Sequence, residues 1–184
     1  MNDMHKLPHY SYWLLFGLIF LSTGIAVASG AEFTDFVISN SRSDLLLSLS
    51  LSDVFTEEVK KAVRDGISFT IVFSITLYRV HNFWFDKKIV RKTTKNTIKY
   101  DLLKIEYKVK RSWDSRSPLV VQSLDNAQKL MTEVNNLKVT HLNELEEGRK
   151  YQLRAKAVCK DQIKLLFGPS WSFKTDWYTV DFVY

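Results

Sequence analysis

The side chains of this sequence that could act in catalysis or bind a metal ion are its histidines, its cysteine and a few carboxylates. The four histidines are His5, His9, His81 and His141, and the last two lie sixty residues apart. Because no second ligand stands at the short spacing typical of zinc sites, we expect no metal site. The single cysteine, Cys159, falls on the apolar side of an alternating segment, which indicates a buried and unreactive thiol.

The motifs of common catalytic and nucleotide-binding sites are missing from the sequence. It contains no G-x-S-x-G elbow, no H-E-x-x-H, no P-loop and no G-x-G-x-x-G. Asp114 beside Trp113, and Asp176 beside Trp177, could hold a sugar between a carboxylate and an aromatic face, but we expect ordinary loop residues at both places. We therefore predict that the protein is not an enzyme, has no catalytic residues and needs no cofactor.

The N-terminus has the pattern of an export signal. Lys6 precedes an apolar run from Trp13 to Leu21, and small residues follow up to Ala31. We expect a signal peptide over residues 1–30, cleaved within 28–31, which makes the protein periplasmic or secreted. The alternative is an uncleaved inner-membrane anchor over residues 12–28. A span needs about 20 apolar residues, and a Ser-Thr-Gly sequence interrupts this run.

Length and charge limit what the exported part can be. Residues 31–184 suit a single domain. The whole sequence has 26 lysines and arginines against 20 acidic residues, and because residues 1–30 contain one lysine and one aspartate, the exported part keeps the full net charge of +6. Because an exported protein is separated from the nucleic acids of the cell, we expect no nucleic-acid partner in spite of this charge. With one cysteine the chain cannot form an internal disulfide, so its stability must come from an apolar core.

Alternating apolar and polar residues predict a mainly β domain with two short helices. The segments 33–42 and 44–53 should form a hairpin, and the longest strand signal covers 67–80. Two further strands, 89–95 and 97–111, are expected as antiparallel neighbours, with Leu103 and Ile105 on the same face as Tyr107 and Val109. Thr56 and Ser123 are typical helix caps, and they place helices over 55–66 and from 124 onward.

The segment LEEGRKYQLRAKA, residues 145–157, indicates how these strands are arranged. Leu145, Gly148 and Tyr151 have the spacing of a tyrosine corner, in which the phenol bonds to the backbone a few residues upstream. The segment is similar to the corresponding strand of fibronectin type III domains. We therefore predict an immunoglobulin- or fibronectin-III-like antiparallel β-sandwich, with residues 171–184 as a last strand that pairs with this one.

A second resemblance covers nearly all of residues 31–184 through many weak motifs. The order of these motifs resembles the bacterial exported family known as domain of unknown function 4390. That resemblance implies a protein of the Gram-negative envelope and brings no activity with it. The turn LLFGPS, residues 165–170, departs from the Leu-Pro-rich segment expected there. The motifs are ISFTIVFSITLYR, FWFDKK, TIKYDLLKIEYKV, SLDNAQKLM, EEGRKYQLRAKA and DWYTVDF.

The segment HNFWFDKK and the basic strands after it are the candidate contact surface. Three consecutive aromatic residues in a strand must point at least one side chain outward, unless they close the end of the sandwich. The lysines would attract an anionic surface, or they only protect a sheet from aggregation. The candidate contact residues are Phe83, Trp84, Phe85, Lys87, Lys88, Arg91, Lys92 and Lys108.

These observations together predict a binding protein of the bacterial envelope. Its partner is expected to be another envelope protein or an anionic membrane surface. The alternative function is a periplasmic carrier of a lipid or small apolar ligand, with strand 67–80 lining a cavity. The sequence contains no signal for the oligomeric state.

Overall fold

The computed structural model describes residues 30–159 and 172–184. The expected signal peptide or anchor, apart from Gly30, and the turn 165–170 lie outside the described residues. Among the described residues, no helix has both the length and the apolar composition needed to cross a bilayer.

Antiparallel strands make up most of the described chain, together with two α-helices and a 3₁₀ turn at Leu142–Glu144. In chain order, the elements are β1 (Glu32–Asn40), β2 (Asp44–Ser52), α1 (Glu57–Arg64), β3 (Phe69–Arg79), β4 (Lys87–Asp101), β5 (Glu106–Arg111), β6 (Leu119–Val121), α2 (Leu124–Thr132), β7 (Glu133–His141), β8 (Lys150–Cys159), β9 (Phe173–Lys174) and β10 (Tyr178–Val183).

The strands form two sheets. The smaller sheet has the order β1-β2-β7, and the larger has the order β10-β8-β3-β4-β5-β6, with β9 also pairing with β8. Buried side chains from both sheets and both helices belong to one apolar cluster. The prediction of a mainly β, antiparallel, sandwich-like fold with two short helices is therefore confirmed.

The larger sheet also has a familiar strand order. Its run β10-β8-β3-β4 follows the order of the G, F, C and C′ strands in variable-type immunoglobulin sheets. The terminal β10 pairs antiparallel with β8, as expected for the last segment of the chain. The finer likeness to immunoglobulin or fibronectin type III domains stays a prediction.

Local sequence explains the elements that were predicted correctly. In β2, four leucines occur at every second position, and each is at most 6% exposed because a strand turns alternate side chains to one face. The Thr56 hydroxyl accepts a hydrogen bond from the Val59 N–H at 3.4 Å and begins α1. The Ser123 hydroxyl does the same for the Asn126 N–H at 3.2 Å and begins α2.

The prediction for residues 89–111 was wrong in two places. There is no break at Asn96, since β4 is one strand of 15 residues that runs through it. The amide of Asn96 is fully buried, where it donates to the Met131 carbonyl at 2.9 Å and accepts from the Trp113 indole at 3.1 Å. A polar residue that would suit a turn is therefore satisfied inside a strand.

The second error concerns the turn between β4 and β5. Leu103 and Ile105 were expected to face the core, but they are 95% and 66% exposed. The Asp101 carboxylate accepts the N–H groups of Leu103 and Lys104 at 3.2 and 3.1 Å, and the Ile105 N–H donates to the Asp101 carbonyl at 2.8 Å. These bonds close a tight turn, which interrupts the alternation of the strand.

Candidate functional site

The connection between β3 and β4, residues 81–86, is called the aromatic loop below. It is a loop rather than a strand, and its three aromatic side chains all point into solvent. Phe83 is 91% exposed, Trp84 82% and Phe85 97%. None of the three closes the end of the sandwich. A run of large apolar side chains at this exposure is unusual for a surface loop, because each leaves apolar area in contact with water.

The base of the aromatic loop is held by polar contacts. The Arg79 guanidinium forms an ion pair with Glu146 and donates from Nε to His81 Nε2 at 3.4 Å. Asp86, at the other end of the loop, lies 3.5 Å from the Arg154 guanidinium. These contacts hold one end of the loop to the connection before β8 and the other end to β8 itself, while the aromatic side chains between them are exposed.

The basic residues near the aromatic loop do not all share one surface. Lys87 and Lys88 are exposed where β4 begins, and Arg91 is exposed on the outer face of the sheet, opposite Thr76. Lys92 pairs with Ile75 and is turned toward the other sheet, where its ammonium donates to the Lys138 carbonyl at 2.6 Å.

Lys108 lies on β5, where it pairs with Lys99 near the end of β4 that is far from the aromatic loop. Its ammonium is 2.7 Å from Asp101 and 3.5 Å from Glu106, and the hydrogen bond to Asp101 raises the pKa of Lys108. The structure therefore places Lys87, Lys88 and Arg91 near the aromatic loop, and gives Lys92 and Lys108 local partners of their own.

Part of β4 is also an unpaired sheet edge. Pairing with β5 begins at Asn96, so among the described strands residues 87–95 pair only with β3. Lysines on such an edge oppose pairing with another chain, which is one role for this part of the basic surface.

A shallow depression of about 430 Å³ lies on the outer face of the larger sheet. The Arg154 guanidinium lies over the Tyr78 ring, 4.6 Å from its centre, and the same side chain reaches Asp86 at the aromatic loop. Arg154 and the neighbouring Gln152 are hydrogen bonded to each other, so the polar groups here are already satisfied. The lining residues are Thr76, Tyr78, Gln152, Arg154, Trp177 and Thr179.

The two carboxylate and tryptophan pairs are not arranged as sugar sites. The Trp113 ring carries the Arg111 guanidinium 4.6 Å from its centre, so that face is occupied. Asp114 forms ion pairs with Arg111 and Arg116. Its hydrogen bond from the Arg116 side chain, followed by the Arg116 backbone N–H, lowers the pKa of Asp114 to about 2. The Trp177 ring is half-exposed and has the Lys156 ammonium 5.4 Å from its centre.

The remaining candidates for chemistry lie apart. Cys159 is 2% exposed and belongs to the core. His141 contacts Asp44 at 2.8 Å, and His81 contacts Arg79. Within residues 30–159 and 172–184, no three histidine, cysteine or acidic side chains come together as a metal-binding group.

The residues of the predicted tyrosine corner lie together at the start of β8. Tyr151 is 1% exposed, and its phenol oxygen accepts a hydrogen bond from the Glu146 N–H at 2.8 Å. Gly148 takes a backbone φ of +72°, which a glycine adopts without strain. Leu145 is buried next to this turn. The tyrosine thus fastens the connection that precedes β8, close to the Glu146 carboxylate that holds the aromatic loop.

Sequence reasoning missed one exposed apolar feature, the turn between β4 and β5. Leu102, Leu103 and Ile105 are 62%, 95% and 66% exposed. The signal that could have located it is Asp101, because an aspartate after a strand often bonds to the backbone N–H two residues later and starts a turn.

Comparison with known proteins gave a match to one family model. A family model described as "Domain of unknown function (DUF4390)" matches residues 28–181. No curated protein and no solved structure matches the chain.

Proposed function

The chain belongs to the DUF4390 family, and from the geometry of its aromatic loop we propose that it is a non-catalytic interaction module of the Gram-negative envelope. The observation that supports this most strongly is the exposure of Phe83, Trp84 and Phe85, each above 80%. Burying these rings against a partner would remove a large apolar area from water. The apolar N-terminal run supports the export that this proposal requires.

The composition of the loop favours a protein as the partner. Tryptophan is among the residues that contribute most to protein–protein binding, and aromatic residues are enriched at such interfaces. The contacts of Arg79 and Asp86 hold the ends of the loop, which lowers the entropy lost when the aromatic residues are immobilised. Lys87 and Lys88, with no carboxylate partner among the described residues, would speed the approach of an acidic partner.

The alternative function, a carrier of an apolar ligand, has less support. A carrier needs an apolar cavity that encloses most of its ligand. The Phe-rich face of β3 is at most 5% exposed from Phe69 to Leu77 and belongs to the core cluster. The depression on the outer face of the larger sheet and three others on the surface, of about 400 to 570 Å³, are lined mostly by polar and charged side chains.

Cross-linking in living cells tests the proposal. A photo-reactive amino acid would replace Trp84, and the cross-linked species would be identified by mass spectrometry. We expect one recurrent envelope protein, and the adduct should disappear when Phe83 and Phe85 are also changed to serine. The same amino acid at Val120, an exposed position on β6, is the matched control and should give no such adduct. Equal labelling from both positions, or no adduct from position 84, would contradict the proposal.

A further inference from the structure

The turn between β4 and β5, residues 101–106, presents a second apolar surface at the other end of β4. This surface, called the aliphatic turn below, consists of Leu102, Leu103 and Ile105. The strand between it and the aromatic loop has 15 residues, which corresponds to roughly 45 Å. Because the two tips lie at opposite ends of this strand, a contact at the aromatic loop does not by itself explain the exposure of the aliphatic turn.

The exposure of the aliphatic turn does not come from a loosely held loop. Asp101 accepts two backbone N–H groups of the turn and also pairs with the Lys108 ammonium at 2.7 Å. The Lys108 hydrogen bond, together with the backbone N–H bonds, keeps the pKa of Asp101 below its usual value, so the carboxylate stays charged and in place. A Cβ atom built on Gly66 would lie 3.4 Å from Leu102 Cδ1. The turn therefore packs close to the glycine that follows α1.

The backbone of Ile105 indicates that its side chain has a role. Its φ is +54°, a left-handed conformation that is a clear outlier for a β-branched residue. Asparagine or glycine at this position would close the same turn with less strain. Strain of this kind persists mainly where function selects for the side chain. A connection that served only to join β4 to β5 would not need an isoleucine that is 66% exposed.

The aliphatic turn has more positive than negative charge around it, because its two carboxylates, Asp101 and Glu106, both pair with Lys108 and three further lysines lie nearby. Lys104 lies within the turn, and Lys99 and Lys110 extend from the outer face of the two strands that lead to it. In the part of the chain that the structure describes, none of these three lysines forms an ion pair. Apolar residues at a protruding tip, surrounded by lysines, fit a surface whose interior is apolar and whose exterior is anionic.

We propose that the aliphatic turn inserts into the headgroup region of an anionic phospholipid bilayer, with Lys99, Lys104 and Lys110 against the phosphates. Two features favour a bilayer over a protein. Leucine is under-represented among the residues that dominate protein interfaces, and lysine is depleted there. A bilayer also needs no complementary pocket to receive a convex tip of aliphatic side chains.

This inference goes beyond the proposed function, because it concerns the end of the molecule opposite the aromatic loop. A protein held to a bilayer by the aliphatic turn would present the aromatic loop away from the membrane, toward other envelope proteins.

The test is flotation of the purified protein with vesicles that contain phosphatidylglycerol and with vesicles of phosphatidylcholine alone. We expect binding to the anionic vesicles only, weakened by salt because exposed charges are screened. Leu103→Ser should lower the apparent affinity at least about tenfold, the loss that corresponds to one leucine returned to water. Trp84→Ser is the matched control and should bind like the unaltered protein.

A second variant separates this role from a structural one. Ile105→Asn relieves the backbone strain, so we expect an equal or higher midpoint of thermal unfolding together with lost vesicle binding. A label attached to the cysteine of Leu103→Cys should report an apolar environment only when anionic vesicles are added. The label would attach only at this position, because Cys159 is buried and would not react.

Failure of the unaltered protein to float would overturn the proposal, as would vesicle binding that depends on Trp84 but not on Leu103. A concentration-dependent dimer lost in Leu103→Ser would assign the turn to a second copy of the chain and also overturn it.

Discussion

Tyr151 shows how one side chain connects the fold to the candidate site. Its phenol holds the Glu146 N–H, and the Glu146 carboxylate holds Arg79 at the base of the aromatic loop. The two bonds share one residue of the connection before β8. The hydroxyl of this buried tyrosine in β8 thereby influences the position of the aromatic loop, which follows the neighbouring strand β3.

The first prediction concerns that hydroxyl. Tyr151→Phe should lower the free energy of unfolding by about 1 kcal/mol, because the Glu146 N–H loses its acceptor. Urea denaturation measures this loss. Tyr178→Phe removes a hydroxyl from a half-exposed ring and should change the free energy by less than about 0.5 kcal/mol. Equal effects of the two substitutions would mean that the hydrogen bond does not stabilise the protein.

The second prediction concerns Asp114, whose pKa is lowered to about 2 by Arg116 and Arg111. The folded protein binds the carboxyl proton of Asp114 more weakly than the unfolded chain does. The charged carboxylate therefore stabilises the folded state fully above about pH 4, and this stabilisation is lost as the pH falls toward 2. Asp114→Asn should reduce stability at neutral pH and flatten its dependence on pH in that window.

Unfolding curves at several pH values would test this. Asp35→Asn, an exposed position on β1, is the matched control and should leave the slope unchanged. A slope between pH 4 and 2 that is the same in Asp114→Asn as in the unaltered protein would refute the assignment.

Both helices of the described chain begin at a residue whose side chain accepts a hydrogen bond from a backbone N–H group. Thr56 and Ser123 cap the two helices, and Gly66 follows the end of α1 with φ of +83°. The same glycine lies against Leu102 in the aliphatic turn, so the end of one helix and the end of one hairpin meet at a residue without a side chain.

The third prediction concerns Gly66 and Gly148. Changing either to alanine should lower the free energy of unfolding by about 1–2 kcal/mol, because both have a left-handed backbone, with φ of +83° and +72°. A Cβ at Gly66 would lie at an ordinary contact distance of 3.4 Å from Leu102, and a Cβ at Gly148 would meet no atom within 4 Å, so the two losses should be similar. Urea denaturation measures both losses. A clearly larger loss at Gly66 that Leu102→Ala removes in a double-mutant cycle would show instead that the contact with Leu102 is strained.

The whole molecule combines a packed core with two exposed tips. The core cluster spans both sheets, while the aromatic loop and the aliphatic turn project from opposite ends of β4. Apolar surface on these tips therefore contributes little to the stability of the isolated chain, which leaves it available for binding.

The fourth prediction follows from this division. Replacing Phe83, Trp84 and Phe85 together by serine should change the free energy of unfolding by less than about 0.5 kcal/mol, because all three are exposed. Phe73→Ala, in the centre of β3 and fully buried, should cost about 3–5 kcal/mol. Thermal unfolding followed by circular dichroism compares them. A loss above about 2 kcal/mol in the serine variant would show that the aromatic residues belong to the core.

The sequence by itself determined the strands and helices that depend on local pattern. Leucines at alternate positions in β2, and hydroxyl caps at Thr56 and Ser123, act within a few residues, so their outcome follows from the residues themselves. The aromatic run 83–85 was recognised as a candidate contact surface, but the sequence left open whether its side chains point outward or close the end of the sandwich.

Only the tertiary structure decided the rest. Asn96 stays in a strand because the Met131 carbonyl and the Trp113 indole, distant in sequence, satisfy its amide. Lys92 and Lys108 leave the candidate surface because the Lys138 backbone carbonyl and the Asp101 carboxylate accept hydrogen bonds from their ammonium groups. The aliphatic turn is the exception, because the Asp101 carboxylate that accepts the N–H groups of Leu103 and Lys104 is a local signal that the alternating pattern obscured. Each of these outcomes depends on a hydrogen-bond partner or a turn geometry that cannot be read from the alternation of apolar and polar residues.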